Sequence, residues 1–382
     1  MNNPFVYGEV VPGDAFVDRE VELDRLVTDL AAGQKVFLIS PRRYGKSSLI
    51  RQALQALGRR GTLTVEVTVS SYSSYVSFLE GYAQALAGLE SRWERARGWL
   101  TSVITSTRPE LRYDPSTTGG AGRVTVAFPL VRSERDVTRV ANEVFALPGR
   151  LAAERGKPVV VALDEFQAVA GFNGGSVEHA LRAAAQQQRQ VGYVFAGSEP
   201  SLMEQMIGPK RPFYKAGPVM RLEKIPGEIF AAFIEARFAK SGARAEPGLG
   251  AAIVELAGNL PYDVQRLAHE TWDDVRVTGG ARVGLDQLHA TLVRLLAEQE
   301  PMYDAIWQRL TLSQRAVLRA AVIQRGREML SADVRTRHRL GGPSSIQASL
   351  AALVRQDLLL KEGPRYVVVD SLLREWVARR TF

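Results

Sequence analysis

The amino-acid sequence predicts an α/β protein: a parallel sheet core, a small helical domain, and a C-terminal winged helix-turn-helix. Three observations predict it. Through residues 1–220, short apolar runs alternate with amphipathic helical segments, the pattern of a parallel sheet covered on both faces. Residues 221–300 continue in helical segments with no strand between them. Residues 301–382 follow the order helix, helix, helix, hairpin, which is that of a winged helix-turn-helix.

In the first section, residues 36–39 read as a buried strand. Residues 46–57 read as a helix with Leu49, Ile50, Ala53, Leu54 and Leu57 on one face. Residues 63–69 are a strand and 78–89 a helix. Two short segments, 112–115 and 123–128, flank Ser-Thr-Thr-Gly-Gly-Ala-Gly and suggest a hairpin inserted near 108–130. Residues 134–155 and 177–190 are helical. Residues 159–163 form a strand ending in Asp164-Glu165, and 193–196 another ending in Gly197-Ser198. The helical section holds helices at 229–239, 248–257, 261–275 and 285–300. The last section holds helices at 313–324, 332–339 and 344–356, with strands 358–360 and 366–369 around Glu362-Gly363-Pro364.

The chain has 382 residues, 46% hydrophobic and 24% charged, ordinary for two or three soluble domains. It has no Cys, which excludes disulfides and thiolate metal sites and fits a reducing cytoplasm. His179, His269, His289 and His338 are far apart, against a zinc enzyme. Residues 1–14 lack a signal-peptide pattern, and no apolar run approaches the roughly 20 residues that span a bilayer. The expectation is a cytoplasmic protein with no membrane partner. Net charge is +8, and residues 301–382 hold 14 Lys/Arg against 7 Asp/Glu. That asymmetry suggests a surface for a polyanion, most often nucleic acid, or else a solvated basic face.

The segment Ser40-Pro41-Arg42-Arg43-Tyr44-Gly45-Lys46-Ser47-Ser48 joins a strand to a helix. It reads as a P-loop for ATP–Mg²⁺, because polyphosphate needs converging backbone N–H groups and a helix N-terminus. Gly45 lets the backbone approach, Lys46 reaches the β- and γ-phosphates, and Ser47 is a Mg²⁺ ligand. Ser40 stands where the strict pattern has Gly. Asp164 at a strand end completes the Mg²⁺ shell, and Glu165 is the general base for the attacking water. Ser198 either senses the γ-phosphate or the attacking water, or caps the next helix, with Glu199 a further candidate. In the last section, apolar Ile346, Leu350, Leu353 and Val354 leave Ser345, Gln347 and Ser349 outward. With Arg335, Arg337 and Arg339, these could contact phosphates and base edges of double-stranded DNA. Lys361 and Arg365 would sit on a wing touching the backbone. The alternative is a winged helix that only packs on the rest of the protein.

Several segments together resemble the archaeal-type ATPases, near the STAND and AAA+ branches of P-loop proteins. They are Asn3-Pro4-Phe5, Phe16-Val17-Asp18-Arg19-Glu20, Pro41 to Leu49, Leu163-Asp164-Glu165-Phe166-Gln167, Ala196-Gly197-Ser198, Pro212-Phe213-Tyr214 and Gly258-Asn259-Leu260-Pro261-Tyr262. The resemblance implies a P-loop NTPase core at 1–220, a helical lid at 221–300 and the winged helix at 301–382. It implies that Phe16 and Arg19 lie on the adenine side and that Pro261 approaches the nucleotide from the lid. Where the family often has Gly-Arg after the Pro-Phe-Tyr segment, this chain has Lys215-Ala216. Lys215 or Arg211 is then the candidate to reach a neighbouring subunit's phosphate in a homo-oligomer. The expected activity is an ATPase switch, slow without a partner, that couples nucleotide state to DNA binding or assembly. The alternatives are a non-catalytic ATP-liganded DNA-binding regulator, and a defence or signalling switch acting on a protein partner.

Overall fold

The structure, a computed structural model, describes residues 2–8, 16–89, 93–107, 109–114, 123–172, 176–280 and 282–380. The chain divides into two compact units, Pro12–Glu223 and Met1–Val11 with Lys224–Phe382.

The first unit runs α1 (Glu20–Ala31), β1 (Lys35–Ile39), α2 (Lys46–Arg59), β2 (Leu63–Thr68), α3 (Tyr75–Ala87), α4 (Trp93–Val103), β3 (Glu110–Asp114), β4 (Arg123–Ala127), α5 (Glu134–Arg155), β5 (Val159–Asp164), α6 (Ser176–Gln187), β6 (Val191–Gly197), α7 (Pro200–Met206) and β7 (Val219–Arg221). Its sheet has the order β2-β5-β6-β1-β7, and every pair is parallel. Both β5 and β6 are buried along their whole length, which is why they read as unbroken apolar runs rather than alternating ones. Ring packing joins the strands to the turn after β5: Phe195 lies 5.0 Å from Phe37, 4.8 Å from Phe166 and 5.1 Å from Phe213. The expected hairpin forms as antiparallel β3–β4, pairing Glu110 with Ala127; its turn, 115–122, lies outside the described residues. Four elements have no counterpart in the sequence reading: α1, α4, α7 and the three-residue edge strand β7.

Parallel pairing decides where the chemistry collects. Ile39 pairs with Gly197, Leu163 with Phe195, and Thr68 with Asp164. Residues just beyond β1, β5 and β6 therefore leave the sheet at one edge, outside the carboxyl ends of the strands.

The second unit runs α8 (Gly227–Lys240), β8 (Arg244–Ala245), α9 (Leu249–Leu256), α10 (Pro261–Val277), β9 (Arg282–Val283), α11 (Leu285–Arg309), α12 (Leu312–Ile323), α13 (Ala332–Arg337), α14 (Pro343–Arg355), β10 (Leu359–Glu362), β11 (Arg365–Val368) and α15 (Ser371–Arg379). Two expectations change. The two-residue parallel pair β8–β9 interrupts the helical section, too short to leave a periodic signal. The helix expected to stop at residue 300 continues through Pro301 to Arg309. Proline removes one backbone donor, but Tyr303 and Trp307, two and six residues beyond it, are buried and hold the helix in place.

Helices α10, α11 and α15 are joined by polar contacts. The Ser371 N–H donates to Asp263 Oδ2 at 3.3 Å, and the Tyr303 hydroxyl to Asp370 Oδ1 at 3.2 Å. Trp376 Nε1 donates to Glu300 Oε2 at 2.5 Å. Arg374 Nη2 donates to the last carbonyls of α9, at 2.9 Å to Leu256 and 3.2 Å to Glu255. Residues 2–8 belong to this unit. Phe5 is buried, 4.7 Å from Phe238. Asn3 Nδ2 donates to the His269 carbonyl at 3.0 Å, and the Tyr7 hydroxyl to Glu270 at 2.5 Å.

Candidate functional site

The loop after β1 turns twice through left-handed backbone, at Arg43 (φ 69°) and Gly45 (φ 87°). Gly45 is the N-cap of α2 and gives that helix no side-chain cap. The first-turn N–H groups of α2 are thus without a capping oxygen from Gly45, and a helix N-terminus of this kind favours an anion. Ser40 is fully buried; its N–H donates to the Gly197 carbonyl at 3.2 Å and its hydroxyl to the Pro41 carbonyl at 3.0 Å. The loop start is thereby fixed to the end of β6. Tyr44 is buried, Arg42 exposed, and Pro41, Arg43 and Ser48 half-buried.

Lys46 is buried in the first turn of α2. Its Nζ pairs with Asp164 Oδ1 and lies 3.2 Å from Glu165 Oε1. The Ser47 hydroxyl donates to Asp164 Oδ2 at 3.0 Å. Glu165 takes a left-handed conformation (φ 53°, ψ 43°) and caps the 3-10 turn Phe166–Gly171. Its Oε2 accepts from the Ser198 hydroxyl at 2.5 Å and from Gln167 Nε2 at 2.6 Å. Burial pushes the Glu165 carboxyl up, but Lys46, Ser198 and Gln167 outweigh it and hold the group below its ordinary value. Burial draws the Lys46 ammonium down from the usual lysine value, with Glu165 acting against it.

Five predicted residues therefore meet: Lys46, Ser47, Asp164, Glu165 and Ser198. The helix-cap alternative for Ser198 is not realised, because Glu199 is the N-cap of α7. A hydroxyl and a carboxylate 3.0 Å apart are hard oxygen donors suited to Mg²⁺, and the uncapped helix N-terminus beside them suits phosphate. Among the described residues, no three His, Asp or Glu side chains converge on a metal position. A cation here would rest on Ser47, Asp164 and the nucleotide's own oxygens.

Other predicted residues are placed elsewhere. Arg19 is buried; its Nη1 donates to Glu22 at 2.7 Å and its Nη2 to the Glu223 carbonyl. That guanidinium ties the two ends of the first unit together. Phe16 is half-buried. Pro261 is the first residue of α10, in the second unit. Arg211 is paired with buried Glu178 at 2.7 Å, while Lys215 is exposed.

In the C-terminal module, Arg337 pairs with Asp333 at 3.0 Å. Arg339, Ser345, Gln347, Lys361 and Arg365 are exposed, and Arg335 is half-buried. Ser349, expected outward, is buried and lies 2.9 Å from the Ser313 hydroxyl. It stands three residues after Ile346 and four before Leu353, on the same face. Gln167 joins the group at Glu165 without having been expected at the site; its signal in the sequence is its place at the end of the segment Leu163-Asp164-Glu165-Phe166-Gln167.

Residues 301–379 match the family model of a probable winged helix domain. No curated protein matches the chain. Among solved structures, the chain is similar to the Walker-type ATPase of Pyrococcus abyssi, with a TM-score of 0.64 and 16% identity, over 98% of this chain and 99% of that one. It is similar to the Aeropyrum pernix ORC1 protein in complex with DNA, with a TM-score of 0.54 and 14% identity, over 98% and 95%. The Aeropyrum pernix ORC2 protein in ADPNP–ADP complexes gives 0.52 and 12%, over 99% of each. The chain shares the fold of these proteins, a parallel α/β sheet unit followed by helices, with the probable winged helix domain at its C-terminal end.

Proposed function

We propose that this chain binds ATP–Mg²⁺ at residues 40–48 and hydrolyses it, as a switch whose output is contact of the winged helix domain with duplex DNA. One observation carries the reading: Lys46, Ser47, Asp164, Glu165 and Ser198 form one hydrogen-bonded group at the sheet edge.

The residues divide the work by chemistry. Lys46 supplies positive charge for the β- and γ-phosphates, and nucleotide competes for it with Asp164 and Glu165. Ser47 and Asp164 would hold Mg²⁺, which when bound neutralises charge on the phosphate oxygens. Glu165 takes a proton from the attacking water at its carboxylate, and Ser198 orients that carboxylate. Positioning and electrostatics provide most of the rate. Lys215 and Arg211 are both exposed, Arg211 with a bond to Glu178; either would reach a neighbouring subunit's phosphate, and turnover by the isolated chain is slow.

DNA contact is supported by the basic C-terminal section and by exposed Arg339, Gln347, Lys361 and Arg365. One protein of the same fold, the Aeropyrum pernix ORC1 protein, is seen in complex with DNA. The test is ATP turnover by wild type and Glu165→Gln. Turnover lost with ATP binding kept supports an enzyme; equal inactivity with and without DNA leaves a non-catalytic ATP-liganded regulator. In parallel, duplex binding is titrated with ADP, ATP and a slowly hydrolysed analogue. Affinity that falls steeply with salt supports phosphate contact; no affinity in any nucleotide state points to a protein partner.

A further inference from the structure

Gln167 is buried, with 6% of its surface exposed, and its amide sits among three oxygen acceptors. Nε2 is 2.6 Å from Glu165 Oε2, 3.3 Å from Ser198 Oγ and 3.5 Å from Glu199 Oε1. Proton accounting fixes the direction of the network. Ser198 has one hydroxyl proton, and at 2.5 Å it goes to Glu165. The Ser198 oxygen can then only accept, and Gln167 is the donor that reaches it. The Gln167 amide thus bonds Glu165 directly and also sets the rotor of the hydroxyl that bonds Glu165.

The backbone is arranged to bring this about. Left-handed Glu165 reverses the chain into the turn Phe166–Gly171, which returns Gln167 beneath the carboxylate two residues earlier. Phe166 anchors that turn in the ring cluster against Phe195 and Phe213. On the far side, Gln167 Oε1 has no hydrogen-bond partner and lies so close to Gly197 that an added Cβ there would be 2.7 Å from it. A buried amide with an unmade bond carries a cost. The side chain is held in this place by what its other end does.

Resting on the reading of Glu165 as the base, we propose that Gln167 is its positioning residue. Its amide, with Ser198, fixes one carboxylate oxygen, while Lys46 faces the other. The Gln167 amide reaches Glu165, Ser198 and Glu199, and the residue acts through Glu165.

The experiment compares ATP turnover of the full chain carrying Gln167→Met, an isostere without donors, in the wild-type and Glu165→Gln backgrounds. Binding of a fluorescent ATP analogue checks each fold. Expected is a fall in kcat of about ten- to a hundredfold with KM for ATP within about twofold, and no further loss in the Glu165→Gln background. Gln167→Glu, which replaces a donor by an acceptor, should lower kcat at least as far. The inference is overturned if Gln167→Met leaves kcat within about twofold while Glu165→Gln lowers it about a hundredfold to a residual rate still measurable in single turnover. It is equally overturned if KM rises in step, or if the loss recurs in the Glu165→Gln background. Wild type that binds ATP without turning it over sinks the hydrolytic reading first and this inference with it.

Discussion

A single missing methyl group governs part of the site. A Cβ on Gly197 would stand 2.3 Å from Met203 Cγ as well as crowding Gln167. Gly197→Ala should therefore lower the thermal midpoint by an amount equivalent to about 1–3 kcal/mol and reduce turnover, read by melting and a phosphate-release assay. Elsewhere, Tyr7 and Glu270 make a pH-sensitive pair. Burial first, then Glu270, pushes the Tyr7 hydroxyl from 10.0 up to about 12. Its contribution is complete below pH 10 and disappears as pH rises toward 12. Burial raises the Glu270 carboxyl, but Tyr7 and Arg294 overcome it and hold the group below its ordinary value. That contribution is present above the usual carboxylate range and is lost as pH falls through the lowered value. Tyr7→Phe should flatten the alkaline fall and shrink the acid fall in a plot of melting temperature against pH. The positions of the loop 40–47, Asp164 and Glu165 were legible in the sequence because each stands at or just after the end of an apolar strand. Gln167 was not, since its partners depend on the left-handed turn at Glu165 and on a strand from another part of the chain. Arg19 carried a motif, yet its contacts with Glu22 and the Glu223 carbonyl have no local signature.

Elements with long apolar faces were the legible ones. The buried strands β5 and β6 and the helix α5 follow directly from composition and period. Those left unread are short or amphipathic without a clear start. α1 has no side-chain cap, and β7 is three residues at a sheet edge. α15 follows an Asp370 cap that accepts from the Leu373 N–H at 3.0 Å, a signal too small to stand alone. It nonetheless carries Arg374, which closes the carbonyl end of α9. Arg374→Ala should cost about 1–2 kcal/mol, measured by denaturant unfolding, with protection of amides in α9 falling most in hydrogen exchange.

For the whole molecule, the alternation of strands and helices, and their absence later, was enough to read an α/β core followed by helices and a wing. Invisible in the sequence was the partnership of residues 2–8 with the second unit, because seven residues cannot show a period. Also invisible was the run of α11 past Pro301, a residue that ordinarily argues for a stop. The winged module is therefore joined to what precedes it by Glu300 to Trp376 and Arg380 as well as by backbone. A fragment of residues 285–382 should melt at a higher temperature than one of residues 301–382, compared by circular dichroism.

The continuity of α11 has a mechanical consequence. Its 25 residues make a rod of about 37 Å that carries Pro301 within it. The head of α10 is fastened to α15 through Asp263 and Ser371, at the side of that rod. A displacement at Pro261 thus has a hydrogen-bonded route through Asp263 and Ser371 into α15, which packs against α12, as a push on one spar moves the next.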